Sequence, residues 1–304
     1  MPQVSVIIPT HNRPQLLARA LSSVYDQTFT DFEVIVVDDG QSVKNHFFLA
    51  SFWGMPNFQY IETTKNTGGA ATRNYGIKHA KGEFLTFLDD DDEWLPTKLE
   101  KQVEALKNSS EEVSLVYGGV AAYDETGLLL YRSVAKESGI IEPLPRLLYK
   151  CDIWTSALMY RRSYTERGFI FDPEQKKNQE WDLELRLGQV SKFYALAEAL
   201  TRINIGESEQ MGGKKNLPNI INGYERFLNK HQDLYLAEPK AYALRLFHVG
   251  HLHWDNKNYL KAREYWLKAW RYHFFNLIYP KHYLVSLLGP AVYNRLTGKN
   301  IKYA

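Results

Sequence analysis

Cysteine is almost absent from this 304-residue chain: Cys151 is the only one, so no disulfide can form within it, and the composition suits a reducing compartment. Nowhere do about 18 apolar residues run together, so the pattern offers no transmembrane helix. The opening residues, MPQVSVIIPTHNRP, lack the basic stretch and apolar run of a secretory signal, and a cytoplasmic protein is expected. No low-complexity segment occurs. Acidic residues are scarce in one place only. Residues 257–304 hold nine Lys and Arg against a single acid, Glu264, for a net +8, whereas residues 1–256 hold 28 against 34, for a net −6. A mildly acidic body with a basic tail implies that the tail meets something anionic. The remaining composition, 44% hydrophobic and 24% charged, is that of an ordinary globular protein.

What is present is an alternation of short β-rich runs and helical patterns, as parallel βαβ units produce. Residues 4–8 read as a first strand. Pro14 then falls in the first turn of a helix whose apolar positions Leu17, Ala20, Leu21 and Val24 keep helical spacing. Residues 34–37 are an unbroken β-branched run, the mark of a strand covered on both faces, and 58–61 form a third strand. Gly68 and Gly69 open a helix expected to end at Gly82. Residues 84–88 form another buried strand, and Pro96 begins a helix with Leu95, Leu99, Val103 and Leu106 on one face. Beyond it, 113–123 and 128–134 pair as a hairpin, 153–160 and 193–197 are strands, and 180–190 is a helix. Residues 206–219 are polar and Gly/Lys-rich, a linker between a domain at 1–205 and a helical region at 220–304. Within that region 258–269 (NYLKAREYWLKA) has the spacing of one tetratricopeptide-like helix, half of an αα-hairpin.

The sharpest chemical signal is Asp89-Asp90-Asp91-Asp92 directly after the 84–88 strand. Adjacent carboxylates repel one another and gain nothing by burial, and the carboxyl end of a parallel strand is where open α/β sheets bind ligands. Such hard oxygens suit Mg²⁺ or Mn²⁺ shared with phosphate. A solvated turn capping the next helix is the competing account, which Asp92 could serve. Asp38-Asp39-Gly40 ends a second strand in the same topological position, where a carboxylate can accept from a base N–H or a ribose hydroxyl. A zinc site at His248, His251 and His253 is disfavoured, since one helix cannot present all three on one face.

Taken in order, VSVIIPTHNRP, DFEVIVVDDG, GGAATRNYGIKHAKGEFLTFLDDDDEW and QEWDLELRL resemble the motifs of family 2 glycosyltransferases of the GT-A fold, over roughly residues 4–205. The resemblance implies an α/β fold with a mostly parallel, Rossmann-like sheet and a helical region after it. It implies a nucleoside-diphosphate sugar donor, Mn²⁺ or Mg²⁺ as cofactor, and transfer with inversion. Pro9, Thr10 and Asn12 would line the nucleotide pocket, with Asp38 on the donor nucleotide, Asp39 at the base and Arg73 at the nucleotide or diphosphate. Asp89 and Asp91 would form the DxD pair on the metal, Asp91 the more direct ligand, with Asp90 on the donor. Glu180 stands where the family usually has the Asp that serves as catalytic base, one methylene longer. Asn204 replaces the histidine of many relatives, which leaves a third protein ligand in question.

Uracil and thymine present the same N3–H, so UDP and dTDP sugars are both compatible with Asp39. A glycan or lipid-linked acceptor in cell-surface polysaccharide synthesis is expected, and no nucleic acid. The rival readings are a nucleotidyltransferase, for which the loop at 9–14 offers only Arg13, and a degenerate GT-A domain serving as a binding protein. The tail adds eleven Phe, Trp and Tyr to its charge, which implies either peripheral docking on the inner face of the cytoplasmic membrane or a packed aromatic hairpin. Residues 206–215 are expected to close over the donor, with Lys214 and Lys215 offered to the diphosphate.

Overall fold

Unbroken β-branched runs bury both faces of a strand, and the first two strands do so almost completely: β1 (Val4–Thr10) and β2 (Phe32–Asp38). The computed structural model describes residues 1–40, 49–206 and 217–297, in two compact units. The first unit comprises 1–147 and 151–210, the second 148–150 and 211–304. The segment expected to close over the donor lies almost entirely outside the described residues.

In the first unit a ten-stranded mixed sheet carries the order β3-β2-β1-β4-β9-β6-β10-β5, with β7 on β6 and β8 on β10. Here β3 is Phe58–Glu62, β4 Phe84–Phe87, β5 Glu93–Trp94, β6 Val113–Tyr123, β7 Leu129–Ser133, β8 Gly139–Ile141, β9 Leu158–Arg161 and β10 Lys192–Asn204. The four strands β3, β2, β1 and β4 run parallel, with Thr10 beside Asp38 and Asp38 beside Glu62. Their carboxyl ends therefore open on one edge, and the two acidic motifs meet there. Helix α1 (Pro14–Tyr25) covers the sheet with Leu17, Ala20, Leu21 and Val24, all fully buried. Leu17, Leu21 and Val24 each contribute roughly 1.5–3 kcal/mol of apolar burial, Ala20 less.

Several boundaries differ from expectation for local reasons. Helix α2 (Gly69–His79) stops before Gly82. A Cβ on Gly82 would lie 2.6 Å from the Ser5 nitrogen, so this glycine permits close backbone approach and does not terminate the helix. Helix α3 starts at Lys98 (Lys98–Lys107), and Leu95 is 42% exposed outside it. The expected strand at 153–160 begins as a 3-10 turn, Thr155–Ala157. Strand β10 continues seven residues past Ala197, across register shifts at Ala195–Ala199 and Ala199–Thr201. That extension pairs it with β5, Thr201 opposite Trp94, and carries Asn204 to the acidic run. Two short helices, α4 (Arg146–Tyr149) and α5 (Ser163–Glu166), precede α6 (Gln179–Gly188). Cys151 lies beside the buried Glu184, with Sγ 3.9 Å from Oε2, and burial pushes its thiol well up.

The second unit contains α7 (Leu217–Lys230), α8 (Gln232–Ala237), α9 (Pro239–Asp255), α10 (Tyr259–Tyr272), α11 (Ile278–Ser286) and α12 (Pro290–Thr297). Helix α7 begins inside the stretch read as linker. The expected hairpin is α9 with α10, whose start is capped by Asn258 accepting from the Lys261 N–H. Gly250 of α9 faces Trp266 of α10 so closely that a Cβ would sit 2.5 Å from the indole. Trp254, Trp266 and Tyr293 form an aromatic core, with His282 edge-on to Trp266. No helix among the described residues is long and apolar enough to cross a membrane.

Candidate active site

At the β2 end the two carboxylates are buried and hydrogen-bonded. Asp38 accepts from the Tyr60 hydroxyl at 2.6 Å. Asp39 Oδ1 accepts from the Thr67 N–H (2.7 Å), the Thr67 hydroxyl (2.9 Å) and the Thr63 hydroxyl (3.2 Å), while Oδ2 accepts from the Gly68 N–H at 2.8 Å. Burial raises the Asp39 pKa, but the donors of Thr67 and Gly68 outweigh it and hold the carboxyl below its ordinary value. Gly68 has φ +85°, a left-handed conformation natural to glycine, and it opens α2 towards Asp39.

The four aspartates alternate. The side chains of Asp89 and Asp91 are 35% and 22% exposed, whereas that of Asp90 is 6% exposed and Asp92 is buried. Outward, Asp89 meets the Arg73 guanidinium at 2.5 Å and Asp91 meets Arg13 at 3.2 Å. Inward, Asp90 accepts from the Thr10 hydroxyl at 2.7 Å, and Asp92 from the Ser156 hydroxyl at 2.6 Å. Asp90, expected on the donor, ties the end of β1 to the acidic run through Thr10. Asp92 caps no helix. Burial pushes Asp90 up to about 6 despite the Thr10 and Arg13 contacts, and it pushes Asp92 well up as well.

Arg73 links this run to the α6 side. Its Nη1 donates to Gln179 Oε1 at 3.3 Å, its guanidinium lies 5.5 Å from the Phe171 ring centre, and its Nε is buried without a hydrogen-bond partner. Burial works against its charge, but the carboxylates of Asp89, Glu180 and Asp90 more than offset that. Glu180, in the first turn of α6, is half-buried and carries no hydrogen bond or ion pair to a described residue. Asp182 points elsewhere, fully buried and paired with Arg186 at 2.9 Å. Glu184 is fully buried, and burial favours its protonated form.

Two outward carboxylates are hard oxygen donors fit for Mg²⁺ or Mn²⁺. No group of three or more His, Cys, Asp or Glu suited to a metal occurs among the described residues, so the other positions would fall to phosphate or water. Asn204 is already engaged: its Nδ2 donates to the Asp91 carbonyl (2.9 Å) and Glu93 (3.1 Å), and its Oδ1 accepts from Arg202. Pro9 and the buried Thr10, expected in the loop after the first strand, are the last residues of β1 itself, paired with Val37 and Asp38, and only the exposed Asn12, whose φ is 54°, lies in the loop. Sequence reasoning missed Gln179 and Ser156 as holders of the site. Gln179 was signalled only by its place before Glu180, and Ser156 by nothing local.

The model of the family described as "Glycosyl transferase family 2" matches residues 5–169. Among curated proteins, the putative colanic acid biosynthesis glycosyl transferase WcaA of Escherichia coli (strain K12) is 29% identical over 257 residues, covering 80% of this chain and 86% of its own. Two solved structures share the fold. S. aureus TarS 1-349 in complex with UDP-GlcNAc superposes with a TM-score of 0.62 at 17% identity, over 88% of this chain and 91% of that one. The mannosyltransferase PcManGT from Pyrobaculum calidifontis, in complex with GDP-Man and Mn²⁺, does so at 0.60 and 15% identity, over 97% and 83%. The family match spans more than half of the chain, so this protein belongs to glycosyltransferase family 2.

Proposed function

We propose that the chain is an inverting, metal-dependent transferase moving a sugar from a nucleoside-diphosphate sugar to a hydroxyl of a glycan or lipid-linked acceptor. A UDP or dTDP donor, a role in cell-surface polysaccharide synthesis, and work at the inner face of the cytoplasmic membrane belong to the same reading. The observation that carries it is the division of carboxylates: Asp89 and Asp91 turn outward, and Glu180 sits in the field of Arg73 with no hydrogen bond or ion pair to a described residue.

Asp39 Oδ2 holds one donor and keeps acceptor capacity for a base N–H, while Pro9, Thr10 and Asn12 shape the pocket rim. Asp38, Asp90 and Thr10 hold that rim in place. Asp89 and Asp91 would hold Mn²⁺ or Mg²⁺, which when bound neutralises charge growing on the leaving diphosphate. Arg73 carries fixed positive charge toward the same oxygens. Glu180 takes the acceptor proton as the hydroxyl attacks the anomeric carbon. With Asp182 spent on Arg186 and Glu184 buried, Glu180 is left as a single base, which suits single displacement and inversion.

Steady-state kinetics and donor titration of three variants test this. Glu180→Gln should lower kcat by about 10²–10⁴-fold with donor affinity retained. Asp91→Ala should lose Mn²⁺-stimulated donor binding. A folded Asp182→Asn enzyme without turnover, beside an active Glu180→Gln, would overturn the assignment.

A further inference from the structure

The tail aromatics divide into two populations. Trp266, Tyr279 and Tyr293 are buried in the second unit, beside Trp254 of α9. Phe274 and Phe275, in the turn between α10 and α11, are 63% and 90% exposed, and Leu277 and Ile278 follow at 75% and 52%. Helix α11 then presents Leu284 outward, with Leu287 and Leu288 just past its end, while Tyr279, Pro280, His282 and Ser286 face inward. The spacing 277, 281, 284, 288 is one helical face, and Lys281 is its single charge. An ordinary surface helix is polar on its outer side; this one carries Leu284 there, flanked by Leu277, Leu287 and Leu288, with one lysine. A contiguous exposed patch of that kind marks an interaction surface.

Charge identifies the occupant. Residues 257–297 carry seven Lys and Arg against Glu264 alone. Arg271, one turn before Phe274, lines with Lys268 the rim of a cavity of about 420 Å³, whose wall includes Glu225, held by His253 and Tyr265. A second copy of the chain on this face would bring two sets of like charge together, whereas an anionic leaflet neutralises them. Lysine flanked by leucines keeps its stem in the apolar layer and its ammonium at the headgroups.

We propose that the turn at 274–278 and the outer face of α11 form a membrane-docking wedge. Phe274, Phe275, Leu277 and Ile278 enter the headgroup–acyl boundary of an anionic bilayer, with Arg271 and Lys281 on its phosphates. The inference sharpens the membrane contact named above, but it stands without the transferase assignment.

Flotation of the full chain, without donor, on phosphatidylcholine vesicles with and without phosphatidylglycerol tests it. Binding is expected on the anionic vesicles and should weaken as salt rises. Phe275→Ser with Leu277→Ser should lower partitioning about tenfold or more. Arg271→Glu with Lys281→Glu should remove the preference for the anionic vesicles. Unchanged melting of these variants shows that the fold is retained, as their exposure leads one to expect. Equal, negligible binding to both vesicles overturns the proposal, and so does binding that ignores the Phe275 and Leu277 changes. A concentration-dependent dimer dissolved by those changes overturns it too, in favour of self-association. Donor hydrolysis in solution is measured in parallel, so a silent active site and a silent wedge are told apart.

Discussion

In the first unit the buried polar groups include several acids and a lysine, whereas in the second they include histidines set among aromatic rings. Asp38, Asp90, Asp92, Lys98, Asp182 and Glu184 are all 6% exposed or less in the first, and most of them answer a donor or acceptor on a distant element. In the second, His251 packs against Phe247, Trp266 and His282, and burial pushes it down to about 3. The contrast separates two uses of buried polarity. Charges locked across strands fix where ligand groups point, while neutral imidazoles fill an aromatic core at little cost so long as they stay unprotonated.

The largest way to break the comparison is to hollow the aromatic core. Trp266→Ala should cost about 3–5 kcal/mol of stability. Thermal melting followed by tryptophan fluorescence would read the loss, with donor hydrolysis retained below the transition. Loss of hydrolysis in protein that still melts like wild type would mean that the two regions do not divide labour this way.

Acid should come next. His248 and His282 are lowered to about 4 by burial, and His251 to about 3. Their folded values lie below the unfolded value of about 6.5, so the unfolded chain binds the extra protons. The stability they allow is complete above that value and is lost as pH falls toward 4. Melting temperature against pH should therefore drop through this window, and His251→Phe should flatten the drop. An unchanged slope in that variant would move the acid sensitivity elsewhere.

The smallest effect sharpens the comparison from the first unit. Lys98 is fully buried, with Nζ on the Thr86 hydroxyl at 2.5 Å and 3.7 Å from the Trp94 ring centre, and burial drives its pKa well down. The unfolded lysine holds its proton up to about 10.4, so the cost is present at neutral pH and relieved as pH rises toward that value. Lys98→Met should raise stability by about 1–4 kcal/mol and remove that alkaline gain. Urea titrations at pH 7 and 9.5 check both, and a destabilised variant would show that Lys98 contributes more through Trp94 and Thr86 than it costs.

What could be read in advance was whatever repeats locally. The 34–37 run and the spacing of Leu17, Ala20, Leu21 and Val24 announce a strand and a helix, because burial leaves a period in the sequence. The far half of β10 was illegible: Glu198 turns out to Lys101, and register shifts break the alternation. The acidic strand ends were legible as positions, but their division was not. Which aspartate faces inward depends on Thr10, Arg13 and Ser156, which lie 64 to 80 residues away from the acids they hold. No window along the chain contains both partners.

Cys151 is the chain's single sulfhydryl, half-buried, and burial pushes its thiol well up. Alkylating and disulfide-forming reagents attack the thiolate, which its surroundings suppress. Its thiol is therefore slower to react than an exposed one. A cysteine added at an exposed position should take up a fluorophore or spin label ahead of it, so the surface can be mapped position by position against a slow background from Cys151.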